Sequence, residues 1–307
     1  MVHDHSHKHQ AHEHGQDNYN RAFAIGTALN IGFVIVEAVY GYRANSLALV
    51  ADAGHNLSDV LGLLLAWGAS VLTRRPPTRR HTYGLRRSSI LAALVNALVL
   101  LLAMGAIAWE AVRRFSEPSS VSGSTVIGVA VVGIIINTVT ALMFLSGRQQ
   151  DLNIRGAFLH MAADAGVSLG VVLAGIAIVF TGWLWFDPVV SLIIVVVVVV
   201  GTWQLLKDSV NLALDAVPEG IEPKAVQTYL TERPGVVGVH DLHIWAMSTT
   251  ETALTAHLIM PAGHPGDAFL VQVFQELHDH FGIEHATLQI ETGDPRYPCT
   301  LAPDNVV

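Results

Sequence analysis

The chain has 307 residues, 51% of them apolar and only 14% charged, a balance that excludes an ordinary soluble globular protein. The formal net charge of −8 is uneven: residues 209–307 carry 13 acidic and 3 basic side chains, a balance of −10, whereas residues 1–208 carry 12 and 14. So acidic a C-terminal third argues against a nucleic-acid partner, and the single cysteine, Cys299, excludes an internal disulfide.

The first fourteen residues are polar and hold His3, His5, His7, His9, His12 and His14 with Asp4 and Glu13; Asp17 follows. Such a tract cannot bury apolar area, so residues 1–19 are expected to form a disordered, metal-binding tail without a secretory signal. It reads either as a collector that raises the local metal concentration or as a dispensable, weakly chelating tail. Six apolar segments follow, at about 21–42, 47–72, 89–112, 121–145, 153–180 and 186–206. Each is long enough to cross about 30 Å of hydrocarbon as a helix. The valine run 195–200 alone could be a buried strand, but its apolar flanks make it part of a spanning helix. Arg74, Arg75, Arg79, Arg80, Arg86 and Arg87 lie between the second and third segments, and Arg148 and Arg155 flank the loop after the fourth. They outnumber Arg43, Arg113 and Arg114 on the other side. The arginine-rich side is expected to be cytoplasmic, which places both termini there and makes residues 20–208 a six-helix transmembrane domain.

Two of these segments contain a histidine and an aspartate one helical turn apart, His55–Asp59 and His160–Asp164. A charge near the bilayer centre costs about 2.5–3.5 kcal/mol or more, so such residues mark a pathway or a binding site. The i,i+4 spacing puts both members of a pair on one helical face. The second and fifth helices run antiparallel, and a rise of about 1.5 Å per residue brings His55 level with Asp164 and Asp59 level with His160. Two imidazoles and two carboxylates suit tetrahedral Zn²⁺. Asp52, one turn before His55, is a candidate fifth participant or gateway residue. Ligand histidines must be neutral and carboxylates ionised, so protons compete with the metal, and a site facing each side in turn would exchange one for the other. No Gly-x-x-x-x-Gly-Lys-[Ser/Thr] or His-Glu-x-x-His sequence occurs, which excludes a P-loop ATP engine and a helix-borne metalloprotease centre. A b-type haem would gain nothing from an aspartate one turn after each histidine. No enzymatic activity and no organic cofactor are expected.

Beyond about residue 208 the apolar runs shorten. Residues 223–232 read as helix, 236–247 and 252–260 as strands, 268–281 as helix and 286–291 as strand. This αββαβ order fits a small α+β, ferredoxin-like cytoplasmic domain over 209–294, followed by a flexible tail at 295–307. Its histidines are His240, His243, His257, His264, His278, His280 and His285. His278 and His280 read as solvated helix residues, and Cys299 receives no role.

The six helices, the paired His-x-x-x-Asp motifs and the cytoplasmic tail resemble the cation diffusion facilitator family, with most likeness to its bacterial cobalt–zinc–cadmium resistance efflux branch. The resemblance covers about residues 20–292. It is carried by Asp52-Ala53-Gly54-His55-Asn56-Leu57-Ser58-Asp59, by His81-Thr82-Tyr83-Gly84 and by His240-Asp241-Leu242-His243-Ile244-Trp245. It implies a homodimeric metal/proton antiporter of the bacterial inner membrane that exports Zn²⁺ from the cytoplasm, with Co²⁺, Cd²⁺ and Ni²⁺ as further candidate substrates. The family position occupied by His55 is Asp or His, and histidine there goes with a preference for zinc over cadmium. Some members have a second zinc site in the loop after the second helix; here His81 is flanked by Thr78 and Leu85, which leaves it a transient contact or a structural residue. The resemblance further implies regulatory zinc near the dimer interface on His240, His257 and a His/acid pair of the last strand. That pair is assigned to His285 and Glu291, with Glu284 as a rival because the strand register is ambiguous. Gln289 stands where some members have a histidine ligand. The place of His243 turns on whether its strand is bulged. The reading of another class is a membrane-anchored zinc sensor that signals through the cytoplasmic domain.

Overall fold

The apolar stretches have no proline beyond Pro188 in the first turn of the sixth, and in hydrocarbon the backbone can satisfy its polar groups only by bonding to itself, which dictates helices. The computed structural model describes residues 13–73, 75–145 and 152–302. The histidine tract through His12 lies outside the described residues, as do Arg74 and Arg148. Six helices come first: α1 (Glu13–Arg43), α2 (Leu47–Thr73), α3 (Ser88–Ser116), α4 (Gly123–Phe144), α5 (Leu152–Thr181) and α6 (Phe186–Ala213). Helix α1 starts at Glu13, ahead of the apolar segment read from residue 21. Among the described residues, Ser88–Ser116, Gly123–Met143, Phe158–Thr181 and Phe186–Ala213 are long and apolar enough to cross a membrane. Large apolar side chains such as Leu102, Trp109 and Phe180 stay largely exposed on these helices, as on a lipid-facing surface. The chain is an α-helical membrane domain followed by a small α+β domain.

Among the described residues, those of Met1–Leu64 and Asn96–Trp203 form one compact unit, and those of Leu65–Val95 and Gln204–Val307 form a second. In the first, the start of α2 is held by a carboxylate. Asp187, in the first turn of α6, accepts hydrogen bonds from the backbone N–H of Leu47 (2.7 Å) and Ala48 (3.3 Å) and from the Ser46 hydroxyl. A negative group at a helix N-terminus satisfies orphan N–H groups and meets the positive end of the helix dipole. Arg114 of α3 closes the arrangement, donating to the Asn45 carbonyl (2.5 Å) and standing 3.7 Å from Asp187 Oδ2. This clamp sets where α2 begins, and therefore where His55 lies. Helices α4 and α5 pack closely through small residues: a Cβ on Gly175 would stand 2.8 Å from Ile127 Cγ1 and 3.2 Å from the Gly123 carbonyl.

The second unit contains α7 (Pro223–Thr231), β1 (Gly238–Ala246), β2 (Thr252–Ile259), α8 (Asp267–Phe281) and β3 (His285–Glu291), the αββαβ order expected. The sheet has the order β1-β2-β3, with β1 antiparallel and β3 parallel to β2. Alternation along β2 sends Leu254, Ala256 and Leu258 into a core with Val226, Leu230 and Leu277. His257 therefore points to the opposite face, where its ladder partners are His240 and Gln289. Strand β1 carries one extra residue between His240 and His243, a bulge at which Asp241 takes a φ of 50°. Ion pairs Arg86–Glu251 and Arg87–Asp215, with a hydrogen bond from the Thr249 N–H to Ser89 Oγ (3.0 Å), tie residues 86–89 to this unit.

Candidate metal centre

The two intramembrane pairs meet. His160 Nε2 lies 3.2 Å from Asp59 Oδ2 and 3.6 Å from Asp164 Oδ2, and His55 Nε2 lies 3.6 Å from Asp164 Oδ1 and 3.9 Å from Asp59 Oδ2. The imidazole centroids are 6.1 Å apart and nearly perpendicular. Each histidine faces the aspartate of the other helix, as antiparallel packing requires. Asp59 Oδ2 is buried and has no hydrogen-bond partner, the mark of a group arranged for something other than its neighbours. Exposure of the side chains rises from Asp164 (3%) and His55 (23%) to Asp59 (37%) and His160 (41%), so the set opens on the Asp59–His160 side.

Asp52 is not drawn into this set: its Oδ2 accepts from Ser168 Oγ at 3.2 Å. It adjoins Glu37 of α1, whose Oε2 accepts from Asn56 Nδ2 at 3.2 Å. Both acids are fully buried, and Glu37 Oε1 and Asp52 Oδ1 have no hydrogen-bond partner. Sequence reasoning missed Glu37, although it is the one acidic residue of the 21–42 segment, which is signal enough.

On the open face of the sheet, His240, His257, Glu291 and Cys299 each offer one ligand atom, all within 4.8 Å of one another. His257 Nδ1 is 3.0 Å from Glu291 Oε1 and 3.6 Å from Cys299 Sγ, and His240 Nε2 is 3.4 Å from Glu291 Oε2. The bulge aims Asp241 Oδ2 at His257 Nε2, 3.4 Å away, while its Oδ1 takes a hydrogen bond at 2.9 Å from His243. Burial pushes the Glu291 carboxyl up, but the Gln289 amide, the Cys299 thiol and the two imidazoles together outweigh it and hold the carboxyl below its ordinary range. Two nitrogens, a carboxylate and a thiol are a donor set that fits zinc.

The structure does not bring every expected residue to this cluster. His285 pairs with Ala253 at the far end of β3, about 20 Å of strand from Glu291, and stands edge-on to Tyr83 with centroids 5.6 Å apart. Glu284 instead accepts from the Thr252 N–H at 2.7 Å, and His243 stays with Asp241. His81 is exposed, its N–H bonded to Thr78 Oγ1. Cys299, to which the sequence assigned nothing, is present in the cluster.

Comparison with known proteins agrees with this layout. Residues 23–212 match the family described as cation efflux transmembrane domain, and residues 218–293 match the cation efflux protein cytoplasmic domain. The chain is 39% identical over 289 residues to the zinc transporter ZitB of Escherichia coli, covering 94% of this chain and 92% of that one. It is 38% identical over 293 residues to the metal cation efflux system protein CzcD of Cupriavidus metallidurans (95% and 91%). To the cadmium, cobalt and zinc/H(+)-K(+) antiporter of Bacillus subtilis it is 34% identical over 286 residues (92% of each).

Proposed function

The chain belongs to the cation efflux family, whose members are membrane transporters and not enzymes, and from that premise we propose that it exchanges divalent metal ions, chiefly zinc, for protons through His55, Asp59, His160 and Asp164. The observation that carries this reading is the convergence of the four groups from two helices inside otherwise apolar segments. Two carboxylates balance the charge of a divalent ion, and two neutral imidazoles complete a tetrahedral set. When the ion leaves, two bare carboxylates in a low-dielectric interior are costly, and protons restore the balance. Metal and protons then occupy the site in turn, which couples their movements. Co²⁺, Cd²⁺ and Ni²⁺ accept the same donor types and are further candidate cargo.

The more exposed groups, Asp59 and His160, both lie toward the helix ends that lead into the arginine-rich loops. With those loops and both termini cytoplasmic, the gradient supports loading from the cytoplasm and release to the other side of a bacterial inner membrane. The protein acts as a homodimer. Its cytoplasmic cluster takes regulatory zinc on His240, His257 and Glu291. Two domains each at −10 repel one another, and bound cations relieve that repulsion and draw them together.

Sealed vesicles holding the purified protein test the coupling. Zinc uptake is expected to rise with an imposed pH gradient and to collapse when a proton ionophore is added. Uptake indifferent to the ionophore would remove proton exchange from the account, and tight zinc binding with no flux would favour a sensor. Spin-label distances between the two cytoplasmic domains should shorten as zinc is added; fixed distances would refute zinc-driven closure.

A further inference from the structure

We propose that Cys299 is the fourth ligand of the cytoplasmic metal site, so that a bound ion fastens the segment after β3 onto the open face of the sheet. The inference rests on reading the His240–His257–Glu291 cluster as a metal site and adds to it a thiolate and a structural consequence. Cys299 lies beyond residue 293, where the match to the family's cytoplasmic domain ends. A turn returns it to the sheet: the Tyr297 N–H bonds to the Asp294 carbonyl at 2.9 Å, and Arg296 pairs with the Asp294 carboxylate at 2.7 Å.

His240 Nε2 is buried and without a hydrogen-bond partner, and its side chain is only 10% exposed. Bonds of about 2.0–2.3 Å in a tetrahedral zinc site place ligand atoms about 3.3–3.8 Å apart. Of the separations here, 3.4 and 3.6 Å lie within that range and 3.0 Å lies just below it. Asp241 faces the second nitrogen of His257, the arrangement by which a carboxylate orients a metal-bound imidazole. One thiolate and one carboxylate neutralise a divalent ion between two neutral imidazoles, and the sulfur biases the site toward zinc and cadmium over magnesium, calcium or manganese.

Because the chain has one cysteine, any thiolate-to-metal signal from the whole protein reports this residue. Full-length protein in detergent is titrated with Co²⁺. The expected result is a near-ultraviolet thiolate-to-cobalt charge-transfer band in the wild type, kept in Asp164→Ala and lost in Cys299→Ser, whose cytoplasmic site binds at least about tenfold more weakly. Zinc should slow amide exchange over residues 294–302 in the wild type but not in Cys299→Ser. Visible cobalt bands that vanish in His240→Ala, with no charge-transfer band in the wild type, would overturn the role of Cys299 and leave the three-residue site standing. Absence of any cobalt signal beyond that lost in Asp164→Ala would remove both.

Discussion

His160 Nε2 on α5 and Asp59 Oδ2 on α2 lie 3.2 Å apart, yet the aspartate oxygen has no hydrogen-bond partner. Two groups that serve one ion should lose it together. Asp59→Ala and His160→Ala are each expected to abolish high-affinity zinc binding at the membrane site, with the double variant little worse than either. The coupling should be at least about 1 kcal/mol in a double-mutant cycle of zinc affinities. Strict additivity would mean the two side chains act independently.

The position of His55 depends on the clamp at the start of α2. Asp187→Ala takes one of two carboxylates from the buried Arg114, which keeps Glu110 at 3.3 Å, and strips the acceptor from two backbone N–H groups. A loss of about 2 kcal/mol is expected, visible as a lower unfolding temperature in detergent, with Ser46→Ala costing about 1 kcal/mol. Equal small effects of both would show that the clamp does not set the helix start.

Asp241 should matter to the cytoplasmic site without being a ligand. Asp241→Asn is expected to weaken zinc binding there by about 10- to 100-fold, measured by chelator competition in an Asp164→Ala background. Unchanged affinity would mean that Asp241 does not orient His257.

A pH effect belongs to the contact between α7 and α8. Burial, and then the Glu276 carboxylate that accepts the Tyr229 hydroxyl at 2.8 Å, push the Tyr229 phenol up to about 12. The folded pKa is raised, so the stabilisation is complete below the ordinary value of about 10 and is lost as pH rises from there through about 12. The difference in phenolate absorbance between wild type and Tyr229→Phe should have its midpoint near the upper value. A midpoint near 10 would show that Glu276 and burial do not act on it.

Much of this was legible in the residues, and the gaps have physical causes. The His-x-x-x-Asp pairs declare themselves because helical spacing is local and charge inside an apolar run is expensive, and antiparallel depth alone matched His55 with Asp164 and Asp59 with His160. The order αββαβ was equally plain. Register was not: a one-residue bulge at Asp241 and a parallel strand that starts opposite Ala253 decide which side chains meet, and neither has a local signal. Hence the residues alone do not separate His285 from the His257 cluster, nor do they show that a turn beyond the last strand delivers Cys299 to it. Glu37 has no partner within a helical turn of its own sequence, because its companion Asp52 sits on another helix.

The most direct test of the central claim is zinc flux into sealed, pH-gradient-bearing vesicles by the wild type beside Asp164→Ala, the most buried of the four groups. Gradient-dependent uptake by the wild type that disappears in the variant, with the cobalt–thiolate signal of the cytoplasmic site intact, is the predicted outcome. Undiminished uptake by a correctly folded Asp164→Ala protein would contradict transport through this site.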